Sequence, residues 1–326
     1  MTSAYQNNEQ PLRMQAENYI AFKKASGCKA HKLEMIINRF VSYAEQWEPG
    51  CTTISKDTAE KWATMSPEES PRNQQVRMNS VQNFARYLVS HGINAYIYPR
   101  IRWESSNFKP YIFSDDELAR FFDACDNTKT PNLIRSDVVS LIFRIIYACG
   151  LRASEAVNLT NRDVDLVQGT IYIKNAKFNK ERLLPISEAL LIRVKKYHNK
   201  VLTLAGPDAP FFPNGNGKFY TPGSLYAIFR ERLRAAGISH GGKNNGPRLH
   251  DLRHTFAVHC LRRAVRSGDD ISVMMKYISV YLGHTGIPSS ENYLRLTADL
   301  YPDIVCKMEK EFDVLPSLEE FLNEDD

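Results

Sequence analysis

Residues 170–186, TIYIKNAKFNKERLLPI, contain the clearest β pattern in the chain. Ile171 and Ile173 alternate with more polar residues, and a basic turn leads to a second apolar pair that Pro185 ends. This is the pattern of a two-stranded antiparallel hairpin. The segments around it favour helices, so we predict a mainly α fold with one small antiparallel β-sheet.

Helical patterns flank the hairpin on both sides. Before it, Ser114 and Glu117 form a capping box, and residues 134–149 carry an apolar stripe that stops at Gly150. After it, apolar periodicity predicts helices over residues 187–204, 222–236, 250–266, 270–282 and 289–311. The second part of the chain is therefore predicted to be mostly helical.

The first part of the chain favours helices alone. Residues 33–44 show the i, i+3, i+4, i+7 spacing of a buried helical face. Ser55 is suited to cap a short helix, and Pro71 to occupy the first turn of another. Four helices of this kind form a small all-α domain.

The helical periodicity is lost over residues 93–113, which Pro99 and Pro110 interrupt. A chain of 326 residues is long enough for about two domains. We predict an N-terminal domain over residues 1–98, a linker over 99–112, a second domain over 113–313 and a tail over 314–326.

The charge is unevenly distributed. The net charge is +5, but residues 309–326 hold one lysine and eight acidic residues, so the rest of the chain is strongly basic. A basic body favours a polyanionic partner, nucleic acid above all. A well-solvated basic surface has the same composition, and charge alone leaves both interpretations open.

The composition excludes several classes of protein. Hydrophobic residues make up 43% of the chain, which is typical of a packed fold and not of a disordered or collagen-like one. No stretch approaches the roughly 20 apolar residues of a membrane span, and the N-terminus lacks a secretory apolar segment. Six scattered cysteines indicate a reduced cytoplasmic chain without a disulfide framework, and the lack of a membrane span leads us to expect no membrane partner.

The common catalytic loops are missing from the sequence. It contains no Walker A loop, GxGxxG, HExxH or GxSxG motif, so we expect no cofactor. Acidic pairs such as Asp163 and Asp165 lie in predicted loops, which disfavours a two-metal nuclease.

What remains is an ordered set of basic residues and one tyrosine. They are Arg152 in Leu-Arg-Ala-Ser-Glu, Lys177 in the hairpin turn, His250 and Arg253 in His-Asp-Leu-Arg, His284 after Leu-Gly, and Tyr293 nine residues later. Each residue alone is more commonly a solvated or structural side chain. In this order the set resembles the tyrosine recombinase (phage integrase) family, of the type found in mobile elements, over nearly the whole chain.

The resemblance implies a fold and an activity. The fold is an N-terminal four-helix, SAM-like core-binding domain followed by the mostly helical catalytic domain of the family. The six functional positions of the family fall on Arg152, Lys177, His250, Arg253, His284 and Tyr293. Since all six are present, we expect an active DNA strand-transferase that acts as a site-specific recombinase, of integrase or transposase type.

Elementary chemistry agrees with these roles. Guanidinium groups and a histidine stabilise the extra negative charge of a phosphoryl transition state, and a tyrosine forms a covalent 3′-phosphotyrosyl bond. The hydroxyl needs a base, for which we expect His250, with His284 as a phosphate donor and Lys177 as the acid for the leaving oxygen. Such a reaction requires neither a metal nor ATP. Lys174 and Lys180 are alternatives to Lys177, and His254 is interpreted as a buried structural donor.

The resemblance also implies partners. These are double-stranded DNA, a tetrameric synapse with a dimer on each site, and accessory or sister recombinases. Candidate DNA contacts are Lys23, Lys24, Arg72, Arg77, Lys180 and Arg248. The amphipathic tail is expected to dock on a neighbouring protomer or on its own core. The alternatives are a type IB topoisomerase-like relaxing enzyme and a catalytically silent DNA-binding accessory protein. We expect the protein in the bacterial cytoplasm, associated with the nucleoid.

Overall fold

A computed structural model of the chain describes most of its residues. The described ranges are 10–28, 30–64, 69–101, 109–127, 130, 133–174, 181–242, 246–283 and 293. The chain divides into two compact units, Met1–Phe108 and Lys109–Asp326. This division falls within the segment 99–112 that the sequence analysis interprets as a linker.

The first unit contains four described helices. They are α1 (Leu12–Ala25), α2 (His31–Trp47), α3 (Lys56–Ala63) and α4 (Pro71–Ser90). The hydroxyl of Ser55 accepts the Thr58 N–H and so caps α3, as predicted. Pro71 occupies the first turn of α4, where its missing N–H costs nothing. Aromatic side chains such as Phe40 and Phe84 fill the core between the helices.

The second unit is mostly helical with a small sheet, as predicted. Its described elements are α5 (Asp115–Asp126), α6 (Leu133–Ala148), α7 (Ala153–Val157), β1 (Val164–Asp165), β2 (Thr170–Ile173), β3 (Arg182–Pro185), α8 (Glu188–Tyr197), α9 (Pro222–Ala235), α10 (Asp251–Ser267) and α11 (Ile271–Leu282). Ser114 and Glu117 form the predicted capping box of α5. Of the predicted helix over 289–311, only Tyr293 is described, and it is helical.

The three strands form an antiparallel sheet in the order β1-β2-β3. Ile171 pairs with Leu184 and Ile173 pairs with Arg182, which confirms the predicted antiparallel hairpin. Leu183 points the other way and is 59% exposed. Because side chains alternate along a strand, Arg182 shares the inward face with Leu184. A charged side chain is thereby directed toward the interior.

Gly150 allows the end of α6 to approach α11 closely. Its backbone has a φ of +56°, in the left-handed region that favours glycine. A Cβ atom there would collide with the Leu282 side chain and lie 2.9 Å from the ring of Phe256. The glycine therefore lets the carboxyl ends of two helices meet beside α10. Among the described residues, no helix is both long and apolar enough for a membrane span.

Candidate active site

Arg253, in the first turn of α10, joins the carboxyl ends of α6 and α11. Its Nη1 donates to the carbonyl oxygen of Gly150 at 2.7 Å, and its Nη2 donates to that of Leu282 at 2.5 Å. The side chain is only 1% exposed. Burial lowers the pKa of the guanidinium to about 10, and nearby Arg152 contributes, so the group remains charged at neutral pH. One buried cation thus fixes two chain segments that are far apart in sequence.

Arg152 lies two residues after Gly150, directly before the short helix α7. Its Nη1 donates to Oε1 of Glu155 at 2.7 Å, and its backbone N–H donates to Oε2 at 2.9 Å. Its Nη2 lies 3.4 Å from the carbonyl oxygen of Gly283. The guanidinium is therefore held beside the turn that precedes His284.

An ion pair between Glu155 and Arg182 supports the position of Arg152. Arg182 donates to both carboxylate oxygens of Glu155, at 3.1 and 2.7 Å, and through Nε to the carbonyl of Tyr281 at 2.9 Å. Burial alone would raise the pKa of Glu155, but hydrogen bonds from Arg182 and Arg152 lower it below the ordinary value. Neither residue was predicted from the sequence, although alternation along the hairpin strand already directs Arg182 inward.

His250 directly precedes α10 and is electrically neutral at physiological pH. Burial lowers its pKa to about 4, and the positive charges of Arg253, Arg152 and Arg248 act in the same direction. The next residue, Asp251, accepts the Arg248 N–H at 2.8 Å and so shapes the turn. The structure therefore places His250 among three guanidinium groups.

Tyr293 packs against α10 and α11 in a small apolar cluster and is 3% exposed. Its hydroxyl oxygen lies 3.1 Å from Nδ1 of His254, one helical turn after His250. Burial raises the pKa of Tyr293, whereas a hydrogen bond and the charge of Arg253, together with Arg152, oppose that rise. His254 is thus in contact with the predicted nucleophile, which the interpretation as a structural donor did not anticipate.

Several predicted residues lie outside the described part of the chain. These are Lys177, Lys180, His284 and the tail over residues 314–326. Lys174, one alternative to Lys177, is described. Its ammonium forms an ion pair of 2.8 Å with the buried carboxylate of Asp163, which gives it a structural partner at the base of the hairpin.

The candidate DNA contacts of the first unit have varied surroundings. Arg77 is largely buried, pairs with Glu69 at 2.6 Å and lies over the ring of Trp62, so its guanidinium holds helices together. Lys24 pairs with Glu34 at 2.8 Å on the surface. The remaining described candidates are Lys23, half-buried near the Tyr19 ring, the exposed Arg72, and Arg248, whose side chain is 44% exposed.

The assembled side chains are suited to phosphoryl transfer. Arg152 and Arg253 supply positive charge, neutral His250 supplies a hydrogen bond, and the Tyr293 hydroxyl is a nucleophile beside them. Guanidinium groups held in place before the reaction stabilise charge that develops on phosphate oxygens. The described part of the site therefore brings together the residue expected to be the nucleophile and the residues expected to stabilise the oxyanion.

Comparison with known proteins agrees with this chemistry. Residues 112–299 match the phage integrase family. The putative integrase/recombinase y4rB of Sinorhizobium fredii (strain NBRC 101917 / NGR234) is 26% identical over 313 residues, covering 93% of this chain and 98% of that protein.

Two solved structures share the fold. The XerH site-specific recombinase bound to its palindromic difH substrate has a TM-score of 0.63 at 19% identity, covering 84% of this chain and 78% of that one. A lambda integrase tetramer bound to a Holliday junction has a TM-score of 0.61 at 15% identity, covering 86% and 79%.

Proposed function

The chain belongs to the phage integrase family of tyrosine recombinases, and from that premise we propose that it is the integrase or transposase of a mobile element. As a member of the family it is a site-specific DNA recombinase that cleaves and rejoins DNA strands. The likeness to y4rB over nearly the whole of both chains supports the integrase type.

The observation that carries the proposal is the surroundings of Tyr293. Its hydroxyl lies beside the buried guanidinium of Arg253, with Arg152 and neutral His250 close to the same cation. A tyrosine in the apolar core would gain nothing from such neighbours, whereas a nucleophile that attacks a phosphodiester requires them. We assign Arg152, His250 and Arg253 to the phosphate and Tyr293 to the attack on phosphorus.

The proposed reaction is a reversible transesterification. The Tyr293 oxygen forms a bond to phosphorus as the bond to the 5′ oxygen breaks, which leaves a 3′-phosphotyrosyl link and a free 5′ hydroxyl. Lys177 protonates the departing oxygen, and His284 completes the set of phosphate donors. Because the phosphotyrosyl bond retains the energy of the broken one, a second 5′ hydroxyl restores the strand without ATP or a metal.

We further propose how the enzyme engages DNA. The first unit acts as a core-binding domain, and together the two units contact one double-stranded site. Two dimers then form a tetrameric synapse, with the acidic residues 314–326 docking on a basic neighbouring protomer. The solved tetramer of lambda integrase on a Holliday junction supports this arrangement. We place the reaction in the bacterial cytoplasm, on nucleoid DNA.

Covalent trapping tests the proposed function. The protein is incubated with random-fragment DNA without metal or ATP, denatured in detergent, and the attached DNA ends are sequenced. We expect protein on 3′ ends in the wild type and none in Tyr293→Phe, because phenylalanine has no nucleophilic oxygen.

Tyr147→Phe is the matched control. The Tyr147 hydroxyl also contacts a histidine of α10, His259, but it lies outside the candidate active site. It should form adducts as the wild type does. Adducts that persist in Tyr293→Phe would refute the assignment of the nucleophile. Relaxation of supercoils without strand exchange on the sequenced site would favour a topoisomerase over a recombinase.

A further inference from the structure

Two groups converge on the hydroxyl of Tyr293. The positive charge of the Arg253 guanidinium opposes the rise in the Tyr293 pKa that burial causes, and Nδ1 of His254 lies 3.1 Å from the hydroxyl oxygen. We propose that His254 takes the proton of the Tyr293 hydroxyl during strand cleavage and returns it during rejoining. This inference rests on the proposed function and assigns a catalytic role to a residue outside the six positions that the sequence pattern supplies.

The proposed proton transfer uses one tautomer of His254. With its own proton on Nε2, the imidazole presents an unprotonated Nδ1, which accepts the hydrogen bond of the Tyr293 hydroxyl at 3.1 Å. In this tautomer the tyrosine proton is directed at His254 before the reaction begins.

His250 is a poor candidate for the same task. It lies one turn earlier on α10, and its ring meets the His254 ring edge-on, with centroids 4.8 Å apart. Arg253, Arg152 and Arg248 surround it and, after burial, disfavour a positive charge on it. Accepting a proton would place a fourth cation in this cluster. His250 is better suited to remain neutral and to donate one hydrogen bond to the phosphate.

The proton balance is complete within the site. As the tyrosine oxygen bonds to phosphorus, its proton moves to Nδ1 of His254, which becomes an imidazolium. The 5′ oxygen leaves with a proton from Lys177. In rejoining, the attacking 5′ hydroxyl returns its proton to Lys177, and His254 reprotonates the departing tyrosine oxygen.

The chain contains a matched pair for comparison. His259, also on α10, has its Nδ1 at 2.9 Å from the hydroxyl of Tyr147, so the same two atom types are in contact. Its neighbours are an ion pair between Arg262 and Asp115, not the reaction site. Substitution of His259 therefore removes an equivalent hydrogen bond from the same helix without touching the nucleophile.

The test measures single-turnover adduct formation on a nicked suicide substrate carrying the trapped site. We expect His254→Ala to react about 100-fold more slowly than the wild type, with unchanged DNA affinity, while His259→Ala retains the wild-type rate. Without a proton acceptor, the reaction depends on the small tyrosinate fraction. The rate of His254→Ala should then rise by about tenfold per pH unit between roughly pH 7 and 9.

Two further measurements separate proton transfer from positioning. His254→Asn keeps an acceptor oxygen near the position of Nδ1 but takes up no proton, so we expect it to stay as slow as the alanine variant. A substrate with a bridging 5′ sulfur has a leaving group that needs no acid. It should restore the rate of Lys177→Ala and leave His254→Ala slow.

A wild-type rate in His254→Ala, recovery in His254→Asn, or rescue by the sulfur substrate would overturn the inference. Both His254 variants are assayed below their midpoints of thermal unfolding, so that loss of fold does not enter the rate. Lack of adduct in the wild type would instead count against the proposed function itself.

Discussion

Helix α10 carries two histidine–tyrosine pairs that look alike and differ in their surroundings. His254 contacts Tyr293 at 3.1 Å, and His259 contacts Tyr147 at 2.9 Å. Burial raises the pKa of Tyr147 to about 12, and the guanidinium of Arg262, whose charge opposes this rise, is engaged with Asp115. Burial raises the pKa of Tyr293 as well, but there the positive charges of Arg253 and Arg152 oppose the rise.

The difference teaches that a histidine partner alone does not make a tyrosine reactive. What distinguishes Tyr293 is a guanidinium that is itself held by two backbone carbonyls and that favours the tyrosinate. The supports of that cation are therefore as important to the site as the hydrogen bond on the hydroxyl. Removing the supports of Arg253 should therefore make the His254–Tyr293 pair resemble the His259–Tyr147 pair.

Glu155→Gln is expected to have the largest effect on the surroundings of Tyr293. The substitution removes the buried negative charge that pairs with Arg182 and Arg152, and loss of one partner from such a buried cluster costs about 3–5 kcal/mol. We expect a large loss of unfolding free energy in urea and little adduct in the molecules that remain folded.

Glu69→Gln is the control for Glu155→Gln. It removes the largely buried partner of Arg77 in the first unit, so it should lower stability while preserving adduct yield per folded molecule. Equal loss of adduct in both variants would show that Glu155 acts only through global stability.

Gly150→Ala should disturb the support of Arg253 itself. A Cβ there collides with Leu282 and Phe256, and the positive φ adds backbone strain, so we expect a loss of about 3 kcal/mol. Gly268, at the end of α10, also has a positive φ, but a Cβ there would contact nothing. Gly268→Ala should therefore lose only about 1 kcal/mol of unfolding free energy. Chemical denaturation of the two variants measures the difference, and similar losses would contradict the close approach of α6 and α11.

The smallest expected effect is on the pH dependence of stability, and it tests the surroundings of His259 in the His259–Tyr147 pair. Burial and nearby Arg262 lower the pKa of His259 to about 4, so the unfolded chain binds a proton below about pH 6.5 that the folded chain does not. Stability is therefore complete above that pH and falls as the pH drops toward 4. His259→Gln should reduce this fall by about 1 kcal/mol per pH unit, measured by urea unfolding at several pH values. Identical slopes in the two proteins would refute the lowered pKa.

Local sequence rules predicted much of the fold. The hairpin, the capping box at Ser114 and the helix start at Pro71 depend on neighbouring residues, and the structure shows them where the sequence placed them. The candidate residues Arg152, His250, Arg253 and Tyr293 were predicted from the family resemblance that their order in the sequence carries.

The supporting residues could not be predicted in the same way. Glu155 and Arg182 are 27 positions apart, and their ion pair exists only once the sheet packs beside α7. The contact of His254 with Tyr293 spans 39 positions and depends on how the segment around Tyr293 returns to α10. The spacing of four from His250 was a usable signal, because it places His254 on the same helical face.

The two hydrogen bonds from Arg253 to the carbonyl oxygens of Gly150 and Leu282 also have a consequence for the protein during its synthesis. The two carbonyl partners come from residues 103 positions before Arg253 and 29 positions after it. A chain still emerging from the ribosome, or one cut short before α11, lacks one partner and leaves the cation unanchored. Under the proposed function, a chain that ends before α11 should therefore be unable to break DNA.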